Sequence, residues 1–127
     1  MSADPSRIEL VLHNDDRLLA AVDAVVAHAG ERAGLSLGAQ QALSHAAAEA
    51  CEEAFLLAGR NGNPDPVVKL AVSDFPDRVE VAVEHAGDSC VNRPRPNVDR
   101  VECDAHEGKS RTTLIKYCAA SKSERKA

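Results

Sequence analysis

An alanine-rich helical stretch constrains the fold of this chain more than any other part of the sequence. The stretch from Ala46 to Phe55 lies within the longest helical pattern, which runs from about Leu37 to Ala58. At about 100° per residue, its apolar side chains collect on one narrow stripe that is expected to face the core. The stripe comprises Leu43, Ala47, Ala50, Ala54 and Leu57. Because small side chains leave gaps unless backbones approach closely, we expect this helix to pack tightly against another element.

Three carboxylates crowd into the same stretch: Glu49, Glu52 and Glu53. Glu49 and Glu53 lie one helical turn apart on a flank of the apolar stripe, whereas Glu52 points away from it. Like charges at this spacing repel by about 0.2–0.5 kcal/mol. Position alone favours a solvated flank of an amphipathic helix, and the other interpretation is a site lined by Glu49 and Glu53.

The length and composition limit the classes of protein to which this chain can belong. A chain of 127 residues predicts one domain over residues 1–127, with a core at about 7–117 and a polar, basic tail at 118–127. Hydrophobic residues make up 44% of the chain and aromatic residues only 2%, so the core must consist of Ala, Val and Leu. The net charge of −5 argues against a general nucleic-acid binder.

The sequence also indicates a compartment. The N-terminus shows no apolar signal segment and no run is long enough to span a membrane, which predicts a cytoplasmic protein without membrane contact. The four cysteines are Cys51, Cys90, Cys103 and Cys118, and none forms a Cys-x-x-Cys pair. We therefore expect reduced thiols rather than a zinc site or a disulfide framework.

The order of predicted elements favours an α+β fold. A first strand at about 7–13 is followed by a helix that begins after Asn14-Asp15-Asp16 and ends near Gly30 or Gly34, and then by the alanine-rich helix, with Ser36 as N-cap and Gly59 after its end. The predicted strands that follow cover 67–73, 78–84, 99–104 and 110–117. Segregated strands and helices predict a two-layer sandwich with helices on one face of a mostly antiparallel or mixed sheet.

Several short sequence motifs, in their order along the chain, resemble those of the GHKL ATPase superfamily, and specifically of its anti-sigma-factor serine kinases of the partner-switching type. The segment Ala48–Ala54 is similar to the family's N-box, Glu-Ala-x-x-Asn-Ala. The segment Val83–Ser89 falls where the family has Asp-x-Gly-x-Gly or Asp-x-Gly-Asp-Ser. The segments Val98–Glu102 and Thr112–Tyr117, with Gly108 between them, resemble its last two strands. The resemblance covers most of residues 7–117 and implies a Bergerat-like fold.

The resemblance implies roles for particular residues. Glu49 matches the catalytic base, and Glu53 stands where the family has the Mg²⁺-binding Asn. His85 stands where the family has the Asp that binds the adenine amino group. Gly87 and Asp88 follow it in the same motif, the segment Val83–Ser89, which we call the second box. If the site is retained, Glu53, His85, Gly87 and Asp88 would bind ATP, with Mg²⁺ at Glu53.

The chain departs from the family most in the ATP lid. Only the segment Cys90–Val98 separates the second box from the next strand, and no glycine occurs between Gly87 and Gly108. A phosphate cradle needs backbone N–H groups brought close together, which glycine permits and proline cannot supply. The segment carries Arg93 and Arg95 beside prolines, which suits a stiff basic contact loop or an ordinary surface connector.

Three hypotheses follow. The first is a regulatory protein resembling an anti-sigma factor, with no bound cofactor, that contacts a sigma factor or an anti-anti-sigma antagonist through a GHKL-like fold. The second is an active ATP-dependent serine-protein kinase of the same type. The third is a structural or dimerisation module, and the resemblance also implies that the chain can form a homodimer. Two altered box residues and the shortened lid favour the first.

Overall fold

The structure is a computed structural model that describes residues 6–13, 15–60, 66–87, 95 and 98–118. Within these ranges it contains two helices and five strands. In chain order they are β1 (Ser6–His13), α1 (Asp16–Ala33), α2 (Leu37–Arg60), β2 (Val67–Asp74), β3 (Arg78–Ala86), β4 (Arg100–His106) and β5 (Lys109–Tyr117).

The five strands form one sheet in the order β1-β2-β3-β5-β4, and every neighbouring pair is antiparallel. Alternate strand residues point to one face, where Leu12, Leu70 and Leu114 are buried in a core shared with both helices. The predicted two-layer α+β fold with helices on one face is therefore confirmed, and the described sheet is wholly antiparallel.

The helix boundaries follow from local chemistry. The Asp15 carboxylate accepts a hydrogen bond from the Arg17 backbone N–H at 2.9 Å, and the Ser36 hydroxyl accepts one from the Ala39 N–H at 3.1 Å. Gly34 ends α1 in the left-handed region at φ 89°, which favours glycine. These predicted caps are confirmed, but Gly59 lies inside α2, which continues to Arg60 because Ala58 is still docked in the core.

The alanine-rich helix α2 is buried more widely than its predicted stripe. Leu43, Ala47, Ala50 and Ala54 are buried as predicted, but Leu57 is only half-buried. A second set of buried residues adjoins the stripe: Ser44, Ala46, Cys51, Phe55 and Ala58. The extra burial arises because α2 packs against both α1 and the sheet.

Neither of the two described helices packs on the other face of the sheet, and charged side chains lie on part of that face. Lys69, Glu84, Arg111 and Asp104 occupy one row across four neighbouring strands, with the sign of the charge alternating along the row. Opposite charges on directly paired residues stabilise an antiparallel sheet by about 0.2–1 kcal/mol each. This row of paired charges therefore makes part of that face polar and suited to contact with water.

The cysteines differ from expectation. Cys51 and Cys118 are free and buried, but Cys103 on β4 is disulfide-bonded, with its partner outside the described residues. The prediction of reduced thiols is wrong for Cys103. Cysteine usage therefore gives no support to a reducing compartment.

Burial of Cys51 should make stability depend on pH. Desolvation, and secondarily the charge of Glu52, raises the pKa of the Cys51 thiol from 9.0 to about 12. Because the unfolded thiol ionises first, the free energy of unfolding should fall as pH rises from about 9 towards 12. We expect the wild-type protein to lose about 1.4 kcal/mol more than Cys51→Ala between pH 8 and pH 10 in urea titrations.

The Cys51→Ala variant is itself the reference, because every other titrating group is common to both proteins. If the stability difference between the two proteins were the same at both pH values, the buried Cys51 thiol would not be the source of the effect.

Candidate functional site

Helix α2 presents Glu49 and Glu53 on the side that faces the end of β3. The Glu49 carboxylate is about half exposed, with 47% of its side chain accessible, and lies 3.7 Å from the His45 imidazole one turn earlier. The Glu53 side chain is less accessible, at 28%. The two acids are thus not an equivalent solvated pair, because Glu49 is more open to water than Glu53.

Arg95 accounts for the difference. Its Nη2 donates to Glu53 Oε1 at 2.8 Å and its Nη1 donates to Glu53 Oε2 at 3.1 Å, so the two planar groups pair through parallel hydrogen bonds. Arg95 Nη1 also lies 3.9 Å from Glu49 Oε1. Only 4% of the Arg95 side chain is exposed, so its guanidinium is inserted between α2 and the sheet.

Little space remains around this ion pair. The residues that line it, besides Glu53 and Arg95, are Ala50, Ala54, Leu57, His85 and Thr112. Together they enclose a cavity of about 10 Å³. Small-molecule sites usually measure roughly 300–1,000 Å³. The buried Arg95 Nε has no hydrogen-bond partner among the described residues, so burying this N–H donor between α2 and the sheet costs free energy.

Two residues of the second box, His85 and Gly87, form hydrogen bonds within the sheet and its β4–β5 turn. His85 points to the core side of β3, and its side chain is buried. Its Nδ1 lies 2.7 Å from the Ala86 carbonyl oxygen and must carry the proton, since that oxygen only accepts. Gly87, at φ 112°, donates to the Gly108 oxygen at 2.7 Å and accepts from the Ser110 hydroxyl at 2.6 Å. Both backbone groups of Gly87 are therefore engaged with the β4–β5 turn and β5.

These residues do not fit ATP with Mg²⁺ in the arrangement observed. The Glu53 carboxylate that would hold the metal pairs with a guanidinium, and the volume between α2 and β3 contains the Arg95 side chain. Across the described ranges, no three His, Cys, Asp or Glu side chains converge as a metal site. We therefore derive no phosphoryl-transfer step from this geometry.

The structure brings only part of the predicted site together. Glu49, Glu53 and Arg95 are in contact, His85 lines the same small cavity as Glu53, and Gly87 lies two residues beyond His85. Asp88 and Arg93 lie outside the described residues. Arg95 is not on the exposed contact surface predicted for it, because its guanidinium is directed inward to Glu53.

Compared with models of known protein families and with curated proteins, the sequence matches none of them. Membership of the GHKL superfamily therefore stays a prediction from the sequence. In the part of the chain that the structure describes, no helix combines the length and the apolar character needed to cross a membrane.

Sequence reasoning missed the pairing of Arg95 with Glu53 because the two residues lie 42 positions apart. Two signals were nevertheless present. Glu53 is an acid on the flank of a core-facing stripe, and such a group needs a partner when it is partly buried. Arg95 lies in a proline-rich segment directly after the second box, close enough in sequence to return to α2.

Proposed function

We propose that the protein is a regulatory protein that acts by binding a protein partner, in the manner of an anti-sigma factor whose nucleotide site is closed. The observation that supports this proposal is the buried Arg95 guanidinium, which pairs with Glu53, the residue at which the family resemblance implies that a nucleotide's metal would bind. A protein that neither binds nor turns over ATP would act through its surface alone.

The proposed partner is a sigma factor or an antagonist protein that competes with it. A partner of this kind implies a cytoplasmic location, and the homodimer implied by the family resemblance belongs to the same proposal. The sequence resemblance supports the choice of partner, whereas the closed cavity supports the loss of catalysis. The two parts of the proposal can therefore be tested separately.

Nucleotide titration tests the loss of catalysis. We expect no saturable binding of a fluorescent ATP analogue to the wild-type protein, with or without Mg²⁺, because Arg95 fills the space and neutralises Glu53. Micromolar binding, together with transfer of labelled phosphate to a partner serine, would establish the serine-kinase alternative instead.

Partner capture tests the regulatory role. The full-length chain, immobilised and exposed to extract of its native host, should retain a sigma factor or an antagonist protein, identified by mass spectrometry and then confirmed with the purified partner. A Leu70→Ala variant, which alters the core and no surface group, serves as control for binding to unfolded protein. If the folded wild-type chain retains neither class of protein, the regulatory proposal is wrong and a structural module is favoured.

A further inference from the structure

A second cavity lies between the C-terminal turns of α1 and the paired ends of β1 and β2. Its volume is about 110 Å³, well above the space beside Glu53. This is less than the roughly 150 Å³ of a closed cavity that holds benzene, so a small molecule bound here would have only part of its volume inside and the rest at the open rim. The apolar part of the wall consists of Ile8, Ala29 and Val72. We refer to it as the α1–β2 cavity.

A buried carboxylate lines the same cavity. The Asp74 side chain is only 9% exposed, and its Oδ2 accepts a hydrogen bond from Arg32 Nε at 2.9 Å. Its Oδ1 is buried and has no hydrogen-bond partner among the described residues. Leaving a buried acceptor without a donor costs free energy, and such groups need an explanation. Because rotation of an Asp carboxylate about its last bond is soft, a small turn would present this oxygen to a donor in the cavity.

Basic side chains contribute the remaining lining. Arg7 and His28 line the cavity together with Arg32, whose side chain is 55% exposed. The Arg7 guanidinium pairs with Glu9 at 3.1 Å, but both of these side chains are about half exposed, and such surface pairs exchange at little cost. The positive rim attracts an anionic group, while the carboxylate below requires a donor.

These features select a ligand chemistry. A molecule suited to the cavity donates a hydrogen bond to Asp74, carries a negative charge towards the basic rim and has a small apolar body against Ile8 and Val72. We propose that the α1–β2 cavity binds a small apolar α-amino acid, with its ammonium group on Asp74 and its carboxylate at the rim. This ligand site is separate from the closed site beside Glu53, because neither Glu53 nor Arg95 lines it.

The test is a titration of the ¹⁵N-labelled full chain with L-valine, followed by two-dimensional NMR. We expect saturable shifts of the amide signals of Ala29, Arg32, Val72 and Asp74. Isobutylamine lacks the carboxylate and isovalerate lacks the ammonium group, so each should bind at least about tenfold more weakly. Equal shifts with all three molecules, or no saturable shift with L-valine, would overturn the proposal.

Variants locate the binding. Asp74→Asn removes the charge and should weaken L-valine binding at least about tenfold. Asp77→Asn is the matched control on the same hairpin, since Asp77 pairs with Arg78 at 2.8 Å and does not line the cavity, and it should bind as the wild-type protein does. If Asp74→Asn fails to fold, Ile8→Trp decides, because Ile8 is 37% exposed at the rim and the larger ring would fill the entrance. Unchanged binding in the folded variants would place L-valine elsewhere.

Discussion

Replacing Glu53 with alanine is expected to lower the free energy of unfolding by about 2–3 kcal/mol, because it leaves the Arg95 guanidinium buried without its main counter-charge. The side chain of Arg95 is only 4% exposed and that of Glu53 is 28% exposed, so water that enters the vacated position replaces the lost carboxylate only in part. The loss should fall below the roughly 3–5 kcal/mol typical of a fully buried pair, because Glu49 lies 3.9 Å away and can take part of the charge. Urea denaturation followed by circular dichroism measures the change.

Glu52→Ala is the matched control, since Glu52 is an exposed neighbour on the same helix and its loss should change stability by less than about 0.5 kcal/mol. A double variant, Glu53→Leu with Arg95→Met, should recover most of the stability because an apolar pair needs no charge compensation. If Glu53→Ala were as mild as Glu52→Ala, the ion pair would not hold Arg95 between α2 and the sheet.

Shortening Leu70 to alanine is expected to cost about 3 kcal/mol and to lower the melting temperature by roughly 10 °C. Leu70 lies on β2 between Leu10 of β1 and Val83 of β3, and its side chain is fully buried on the helix-covered face. Because protein cores are closely packed, the residues around Leu70 can move only in part into the space left by the removed atoms. Differential scanning calorimetry gives the melting temperature and the enthalpy together.

Leu56→Ala provides the comparison, because the same atoms are removed from a side chain that is 59% exposed. We expect it to change the free energy of unfolding by less than about 0.5 kcal/mol. Similar losses in both variants would mean that burial on β2 does not determine the cost.

The fold could be predicted from the sequence where local rules act alone. The alternation of Val79, Val81 and Val83 gave the buried face of β3, and the caps at Asp15 and Ser36 gave the helix starts. The full extent of α2 burial could not be predicted in this way. Ser44 is buried beside α1, where its hydroxyl lies 3.4 Å from the Asp23 carbonyl oxygen. The periodicity of one helix cannot predict where another helix will pack against it.

The candidate site could be predicted only in part, for a related reason. Spacing placed Glu49 and Glu53 one turn apart, and the resemblance placed His85 near them. Neither indicated that Arg95 would be directed inward, because a basic residue in a proline-rich connector is usually solvated. The outcome depends on a contact between residues 42 positions apart, which no local pattern encodes.

The ion pair between Arg95 and Glu53 also sets a condition on any cation that competes for that carboxylate. Metal binding at Glu53 and pairing of Glu53 with Arg95 exclude each other. A metal ion can therefore bind only to the fraction of molecules in which the Arg95–Glu53 ion pair is broken. If the closed arrangement is favoured by about 2.7 kcal/mol, that fraction is roughly 1%, and the apparent dissociation constant for the metal is about 100-fold higher than the intrinsic one. A side chain of the same molecule thus lowers metal affinity by shifting a population, even though a carboxylate ligand is retained at position 53.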